Sequence, residues 1–319
     1  MRILITGVAG FIGFSICQSL LLKNNKIIGI DSLNNYYNLK LKKKRLALLK
    51  NKNFDFKKID LINRKKLFNS LNKNKIDLII HLAAQPGVRY SLDHPRTYIE
   101  NNISAFSNIL DYAKNNKIKL IYASSSSVYG ETKKFPVRES DQLKPNNIYA
   151  LTKKTNEEMA KLYAKLYGLK IIGLRFFTVF GEWGRPDMFI LKFLEYARLK
   201  KKFPLYNYGN HSRDFTYIND LVCMISPLFK KIDKMKKGHY IFNVCTGKSR
   251  NIKEILNFLI KLSNYKNILF LPYQSTEVKK THGSNKKLLK ISKFKKFTEY
   301  KTAIQKTFNW YSQNKDLFN

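Results

Sequence analysis

The sequence predicts an α/β fold with a doubly wound parallel sheet and a smaller C-terminal α/β domain. Three observations predict this fold. Short apolar runs alternate with amphipathic segments through the first half of the chain, which is typical of parallel strands joined by crossover helices. A glycine-rich turn follows the first of these runs. After about residue 180 the segments become shorter and richer in aromatic residues and proline.

The strands are predicted from buried apolar runs, at residues 2–6, 26–30, 76–81, 118–123 and 169–174. A first helix is predicted at 14–22. A later helix at 251–265 has five apolar residues on one face, namely Ile252, Ile255, Leu256, Leu259 and Ile260. The lysine-rich run at 40–44 is interpreted as the solvated start of a helix.

The composition indicates a folded protein that does not need disulfide bonds for stability. The chain has 319 residues, of which 44% are hydrophobic, and this length buries a core without disulfide bonds. Its net charge of +38 raises nucleic acid or an anionic membrane as partners. Because lysine is spread over every segment, we interpret the charge as compositional and expect neither partner. No run approaches the ~18 apolar residues that a transmembrane helix needs.

Cysteine and histidine usage points to a reducing compartment and to no metal site. Cys17, Cys223 and Cys245 are too scattered for a disulfide framework. The five histidines lack metal-ligand spacing. We therefore expect a cytoplasmic protein. The apolar N-terminus superficially resembles a signal peptide, but its regularly spaced glycines and Thr6 favour a folded strand and turn.

Residues 6–13, Thr-Gly-Val-Ala-Gly-Phe-Ile-Gly, have the spacing of a dinucleotide-binding loop. Gly7 can make the tight turn, Gly10 lets the backbone approach a pyrophosphate, and Gly13 permits close packing of helix on strand. Phe11 and Ile12 open the helix whose free N–H groups favour phosphate. The predicted sheet is therefore of the Rossmann type.

Acidic residues at strand ends predict the nucleotide that this loop holds. Asp31 is the expected partner of the adenosine ribose hydroxyls and would repel a 2′-phosphate, which favours NAD over NADP. Asp60 and Leu61 suit a contact with adenine, although a surface strand end explains them nearly as well. We expect an NAD-binding domain at 1–180 and a mainly substrate-binding domain at 181–319, with the option that the chain crosses back to the first domain.

A second motif carries acid–base chemistry. Tyr149 and Lys153 are four residues apart, so a helix places them on one face. A nearby ammonium and a positively charged nicotinamide both stabilise phenolate and lower a tyrosine pKa towards the range of a general base. The strand at 118–123 is followed by four serines, and a hydroxyl there can hold a substrate oxygen. Tyr149, Lys153 and one of these serines are the predicted catalytic group.

The motifs resemble those of the extended short-chain dehydrogenases/reductases, in particular the NAD-dependent nucleotide-sugar epimerases and dehydratases. This family match lies at 6–13, 82–84, 124–130 and 149–153. More specific stretches, at 31–37, 84–91, 175–181, 183–188 and 208–217, are similar to the UDP-glucuronate 4-epimerases. The resemblance spans almost the whole chain and becomes loose over the last ~50 residues, in keeping with terminus variability.

The resemblance implies roles for further residues. It assigns Leu82, Ala83, Ala84, Asn101 and Phe177 to the cofactor, and Thr178 and Arg213 to the UDP-sugar. Tyr149 and Lys153 contact the cofactor as well, and Ser125, three residues before Val128, is the catalytic serine. Ala105 and Phe106 depart from the Gly-Thr that the family usually has, which affects helix packing and no reactive group.

The resemblance also implies a reaction. Tyr149 takes the proton of the sugar 4-hydroxyl, hydride passes to NAD, and the 4-keto sugar turns over before the hydride returns to its opposite face. It further implies a homodimer through helices at about 97–115 and 149–167, and a place in polysaccharide biosynthesis.

Arginine is informative because it occurs only eleven times among 60 basic residues. A guanidinium grips a phosphate or carboxylate at two points. We expect Arg213 at the pyrophosphate, Arg185 in the sugar pocket or its lid, and Arg89 near the sugar end. Ser125, Ser126 and Ser127 offer donors for a C5 carboxylate, which suits UDP-glucuronate.

Four alternatives stay open. A 4-epimerase of a neutral UDP-hexose or UDP-N-acetylhexosamine needs no carboxylate site. The 4,6-dehydratases carry Asp-Glu where this chain has Ser126-Ser127, and the UDP-glucuronate decarboxylases carry Glu at the position of Ser127. A non-catalytic NAD-binding regulator would be expected to have lost Ser125, Tyr149 or Lys153.

Overall fold

A computed structural model describes residues 1–72, 74–274 and 278–318. Over these residues the strands are β1 (Arg2–Thr6), β2 (Lys26–Asp31), β3 (Phe54–Lys58), β4 (Leu78–His81), β5 (Lys119–Ser125), β6 (Lys170–Phe176), β7 (Thr178–Phe180), β8 (Phe203–Tyr206), β9 (Ser212–Tyr217), β10 (Gly238–Val244), β11 (Ser249–Asn251) and β12 (Ile268–Leu271).

The α-helices of the same residues alternate with these strands. They are α1 (Phe11–Leu21), α2 (Leu39–Leu48), α3 (Arg64–Leu71), α4 (Tyr90–Asp93), α5 (Pro95–Tyr98), α6 (Ala105–Asn115), α7 (Ile148–Tyr167), α8 (Phe189–Arg198), α9 (Ile218–Ile225), α10 (Leu228–Lys231), α11 (Ile252–Ser263), α12 (Lys286–Ser292) and α13 (Tyr300–Gln313). A π-helical turn at Ile99–Ser104 joins α5 to α6.

The central sheet has seven strands in the order β10-β6-β5-β4-β1-β2-β3. Every neighbouring pair in it is parallel. The predicted doubly wound parallel sheet is thereby confirmed. β10 follows residue 180 in the chain but pairs with β6 along Gly238–Val244, so the later part of the chain crosses back to this sheet.

Both faces of the sheet are buried, as expected for a parallel sheet covered by helices. On β1, Ile3 and Ile5 point into a core that contains Phe14 of α1 and residues of the C-terminal helices. Leu4 points into a second core, which contains Phe106 and Ile109 of α6. This alternation follows from the two-residue period of a strand.

The C-terminal part of the chain adds two small sheets, ordered β11-β9-β7 and β12-β8. The helix predicted at 251–265 is α11, which ends where Asn264 takes a left-handed conformation with φ of 52°. Four of its five predicted apolar residues are buried and Ile260 is half-buried. In the ranges that the structure describes, no helix has the length and apolarity needed to cross a bilayer.

Several predicted boundaries need correction. The first helix begins at Phe11, three residues early, because Gly10 is its extended N-cap. The strand predicted at 76–81 begins at Leu78, since Asp77 instead accepts a hydrogen bond from the backbone N–H of Arg2 at 2.8 Å. β5 and β6 each run two residues further than predicted. The extensions bring Ser125 and Phe176 to the carboxyl edge of the sheet.

The interpretation of 40–44 as a solvated segment is wrong for one lysine. α2 begins at Leu39, after its N-cap Asn38, and turns Leu41 and Lys42 inward. Lys42 is only 5% exposed. Its ammonium donates to the backbone oxygen and to the side-chain oxygen of Asn34, at 2.7 and 2.6 Å. Lys40, Lys43 and Lys44 are exposed.

Candidate active site

A cavity of about 410 Å³ opens at the carboxyl ends of the parallel strands. In a doubly wound sheet, ligands bind at this edge. The residues lining it come from the glycine-rich turn, the ends of β2 and β5, the start of α7, and the segment at 176–188. The two predicted motifs therefore lie in one cleft.

The glycine-rich turn is shaped to hold a dinucleotide. Gly7 has a φ of 71°, which glycine adopts without strain. The N–H of Gly10 donates to the carbonyl of Gly7 at 3.0 Å and closes the turn. A Cβ on Gly13 would lie 2.1 Å from that carbonyl, so only glycine lets α1 pack this close. The N-terminus of α1 consequently faces the cavity, as a pyrophosphate site requires.

Asp31 closes the loop against the end of β2. Its carboxylate is 8% exposed and accepts hydrogen bonds from the N–H groups of Ala9 and Leu33, at 3.1 and 2.9 Å. The side chain also lines the cavity. The residues present thus fit an NAD with an unphosphorylated ribose, and the contact of Asp31 with that ribose stays a prediction.

The remaining residues predicted for the cofactor line the same cavity. They are Phe11, Ile12, Asp60, Leu61, Leu82, Ala83, Ala84, Asn101 and Phe177. The amide of Asn101 donates to the carbonyl of Thr97 at 2.9 Å, which holds the side chain in the π-helical turn. The structure therefore gathers this whole set around one space, and each individual contact with NAD stays a prediction.

Tyr149 and Lys153 lie one turn apart on α7, and both line the cavity. The side-chain amide of Asn147 caps this helix by accepting from the N–H of Ala150 at 2.8 Å. The Lys153 ammonium donates to the carbonyl of Ala123 in β5, at 3.0 Å. Burial lowers the pKa of Lys153 to about 8. The lysine is thus anchored to the strand that carries the predicted catalytic serine.

The lowering of the Tyr149 pKa by Lys153 together with a nicotinamide stays a prediction. Burial raises the pKa of Tyr149 above its usual value. A hydrogen bond from Ser125 and the positive charge of Arg185 act in the opposite direction. Burial disfavours the charged phenolate, and in this state of the protein it outweighs the groups that stabilise it. Ser125 and Arg185 are therefore the side chains that lower the pKa of this phenol against the effect of burial.

The serine cluster follows β5 and faces the cavity. The Ser125 hydroxyl donates to the hydroxyl of Ser127 at 3.1 Å and accepts from the N–H of Ser127 at 3.2 Å. Ser126 and Thr178 also line the cavity. These hydroxyls form a group of neutral donors beside Tyr149.

Arg185 is the predicted substrate arginine that the structure places in the cavity. Its guanidinium makes a two-point ion pair with Asp187, and the Tyr36 hydroxyl donates to the same carboxylate at 3.3 Å. Burial alone would lower the pKa of Arg185, but the charge of Asp187 raises it above the usual value. Arg185 is therefore charged at every accessible pH. Two of its guanidinium nitrogens already donate to the Asp187 carboxylate.

Arg89 and Arg213 are absent from the residues that line this cavity in the described part of the chain. The Arg89 guanidinium lies 3.8 Å from the centre of the Tyr206 ring. Arg213 donates to the carbonyls of Ser212 and Lys279, at 3.0 and 3.2 Å. Their contacts with a UDP-sugar stay predictions.

A buried network of hydrogen bonds and an ion pair lies behind the site and was not predicted from the sequence. Glu157 accepts from the Ser124 hydroxyl at 2.5 Å and from two nitrogens of Arg175, at 2.9 and 2.7 Å. Arg175 also donates to the Tyr129 hydroxyl at 2.8 Å. The available signal was spacing, because Glu157 follows Lys153 by four residues and shares its helix face.

Most of the chain is similar to known proteins. Residues 3–245 match the model of a family described as the NAD dependent epimerase/dehydratase family. An uncharacterized protein of Methanocaldococcus jannaschii is 44% identical, over 99% of this chain and 97% of its own. A probable UDP-glucuronate 4-epimerase of Rhizobium meliloti is 36% identical, over 98% of both chains.

A solved structure is similar over the same span. It is the UDP-glucuronic acid 4-epimerase of Bacillus cereus in complex with UDP-glucuronic acid and NAD. The identity is 30%, the TM-score is 0.91, and the match covers 98% of this chain and 100% of the other. The likeness therefore includes both parts of the fold and the cleft between the two motifs.

Proposed function

The chain belongs to the NAD dependent epimerase/dehydratase family, and on that premise we propose that it is an NAD-dependent 4-epimerase that interconverts UDP-glucuronate and UDP-galacturonate. One observation carries the proposal. Ser125, Tyr149 and Lys153 line the same cavity as the dinucleotide loop, the serine cluster and Arg185. Bound NAD supplies a reversible hydride acceptor for C4 of the sugar.

The protein's own residues handle the proton of the 4-hydroxyl. Tyr149 is the general base, and its hydrogen bond with Ser125 favours the phenolate. Lys153 is fixed to the Ala123 carbonyl and so holds a constant position one helical turn from the phenol. Lys153 is only 2% exposed, so little of its ammonium is available to water.

Two features support a uronate as the substrate. The hydroxyls of Ser126, Ser127 and Thr178 and the guanidinium of Arg185 line the cavity together. Neutral hydroxyls suit a carboxylate, and the terminal nitrogen of Arg185 that does not donate to Asp187 can donate to it as well. The chain also lacks, at Ser126 and Ser127, the acidic side chains that a 4,6-dehydratase or a decarboxylase has there. The arrangement favours inversion at C4 over loss of water or CO₂.

The proposal also covers the division of the ligands between the two parts of the chain, the oligomeric state and the cellular role. We place NAD mainly in residues 1–180 and the UDP moiety mainly in 181–319, with Arg89 and Arg213 among its ligands. α7 exposes Leu151, Leu162, Leu166 and Tyr167, an apolar face that suits a homodimer. A UDP-galacturonate product suits polysaccharide biosynthesis in the cytoplasm.

Product analysis tests the substrate. The purified protein is incubated with UDP-glucuronate, UDP-glucose or UDP-N-acetylglucosamine, and the sugar nucleotides are separated and identified by NMR. The proposal expects UDP-galacturonate from the first substrate without release of CO₂. Conversion of a neutral UDP-sugar, with no turnover of UDP-glucuronate, would instead establish the neutral-sugar alternative.

A further inference from the structure

Arg45 is the largest of the fully buried side chains in the described part of the chain. It lies on the inner face of α2, one turn after Lys42. Arginine is among the residues least often found fully buried without a partner, because its charge must leave water. Its position therefore calls for a physical reason.

The guanidinium joins three separate segments of the chain. One terminal nitrogen donates to the Ala9 carbonyl at 2.8 Å and to the Tyr37 hydroxyl at 2.7 Å. The other donates to the carbonyls of Trp183 and Gly184, at 2.5 and 3.0 Å. Ala9 precedes the N-cap of α1 in the dinucleotide loop, and Gly184 immediately precedes Arg185. One side chain thus links the loop that fits NAD to the segment that presents Arg185.

None of these acceptors is a carboxylate. Burial lowers the pKa of Arg45, although Tyr37 and the charge of Asp31 partly offset this. A buried cation held only by neutral oxygens is costly unless charge is supplied from elsewhere. An anion bound at the outer side of the dinucleotide loop, where the residues fit a pyrophosphate, provides such charge.

The segment that accepts hydrogen bonds from Arg45 contains a non-glycine residue with an unfavourable backbone conformation. Trp183 has a φ of 61°, and the N–H of Gly184 donates to the Gly181 carbonyl at 3.2 Å, which closes a tight turn. A non-glycine residue with a positive φ persists where its surroundings hold it in place. The two hydrogen bonds from Arg45 to this turn are such a restraint.

We propose that Arg45 is a positioning residue that couples the dinucleotide-binding loop to the turn at residues 181–184 and so sets the place of Arg185 in the sugar pocket. The proposal rests on the proposed function for the role of Arg185. Arg45 lies behind the loop and does not line the cavity, so it acts through the residues it holds.

Hydrogen exchange tests the coupling without any sugar substrate. In the NAD-loaded protein, Arg45→Met is expected to speed amide exchange in residues 181–188 by about tenfold or more, because the restraint on the turn is lost. Arg64→Met, on exposed α3, is the matched control and leaves this exchange unchanged. Arg45→Lys keeps the charge but cannot donate to all three segments. It replaces Arg45→Met in the exchange experiment if the methionine variant does not fold. Unchanged exchange in both Arg45 variants would overturn the proposal.

A double-mutant cycle separates positioning from general support of the fold. Arg45→Lys is expected to lower kcat/KM about tenfold to a hundredfold through a displaced Arg185. In an Arg185→Ala background the same change is expected to cost less than about twofold, because the residue it acts through is gone. An equal loss in both backgrounds would overturn the proposal. If no UDP-glucuronate is turned over, the cycle is run with whichever UDP-sugar is converted. The positioning role of Arg45 can then be tested even where the proposed substrate is wrong.

Discussion

Glu157 and Arg175 form a two-point ion pair beside the serines at the end of β5, with nitrogen–oxygen distances of 2.9 and 2.7 Å. Both side chains are only 4% exposed. The same carboxylate accepts from Ser124, the residue before Ser125. α7, β5 and β6 therefore meet in one buried polar contact, and the position of Tyr149 relative to Ser125 depends on it.

Removal of one partner of this pair is expected to destabilise the fold. Glu157→Gln leaves a buried guanidinium without its counter-charge, and the free energy of unfolding should fall by about 3–5 kcal/mol. Urea unfolding measures the change. Glu254→Gln, which removes a half-exposed partner of Arg250, is the control and should cost less than about 1 kcal/mol. Similar losses in both variants would contradict the account.

Tyr149→Phe is expected to abolish the acid–base step and to leave the fold intact. Loss of a general base lowers kcat by about 10²–10⁴-fold, and the phenyl ring fills the same space. Turnover and NAD content are measured on the same preparation. A variant that keeps its NAD but retains more than a tenth of the kcat would rule out Tyr149 as the base.

Ser125→Ala should shift the pH dependence of the reaction. The hydrogen bond from Ser125 lowers the pKa of Tyr149 against the effect of burial, so its removal raises that pKa. The lower limb of the kcat/KM profile should therefore move to higher pH, with the same fractional loss of activity at every pH below the pKa of Tyr149. A lower activity at every pH, with no displacement of the limb, would mean that Ser125 does not tune the phenol.

Lys153 predicts a pH dependence of stability. Its pKa is about 8 in the folded protein, against 10.5 for a free lysine. Between these values the unfolded chain binds more protons, so the wild type gains stability over Lys153→Met as the pH rises from 8 to 10.5. The gain should approach about 3 kcal/mol, and below pH 8 the difference should be constant. Urea unfolding of both proteins across this range measures it, and a difference independent of pH would be the contrary result.

Ser127→Glu tests the proposed handling of the carboxylate. The 4-keto form of a uronate is a β-keto acid and tends to lose CO₂. Ser127 is a neutral hydroxyl that interacts with Ser125, and an anionic side chain there would repel the carboxylate from its place. We expect increased release of CO₂ from UDP-glucuronate relative to wild type. No additional CO₂ from a variant that still turns over would count against the serine cluster.

The sheet and its motifs could be predicted because they depend on local pattern. Five apolar runs marked strands of the central sheet, and the spacing of glycines and of Tyr149 and Lys153 marked two walls of the cleft. β3 was indicated only by the strand end before Asp60, and β10 escaped the strand prediction because His239 and Asn243 interrupt its apolar residues at the edge of the sheet. Edge strands carry a weaker apolar signal than buried ones.

The rest required the structure because it depends on distant residues. The inward turn of Lys42 and Arg45 cannot be seen in a lysine-rich helix whose other basic residues are exposed. The raised pKa of Tyr149 follows from burial, which the spacing of Tyr149 and Lys153 does not report. The net charge of +38, by contrast, says little about the site, where Arg185, Lys42 and Lys153 are the basic side chains that line the cavity in the described residues.

The most direct test of the account uses UDP-glucuronate that carries deuterium at C4. Epimerisation within one closed site returns the same hydrogen to the opposite face, so UDP-galacturonate should form with the deuterium retained at C4 and no CO₂ released. NMR of the product measures both the configuration and the isotope. Loss of the deuterium to solvent, or formation of a pentose product, would contradict the central claim.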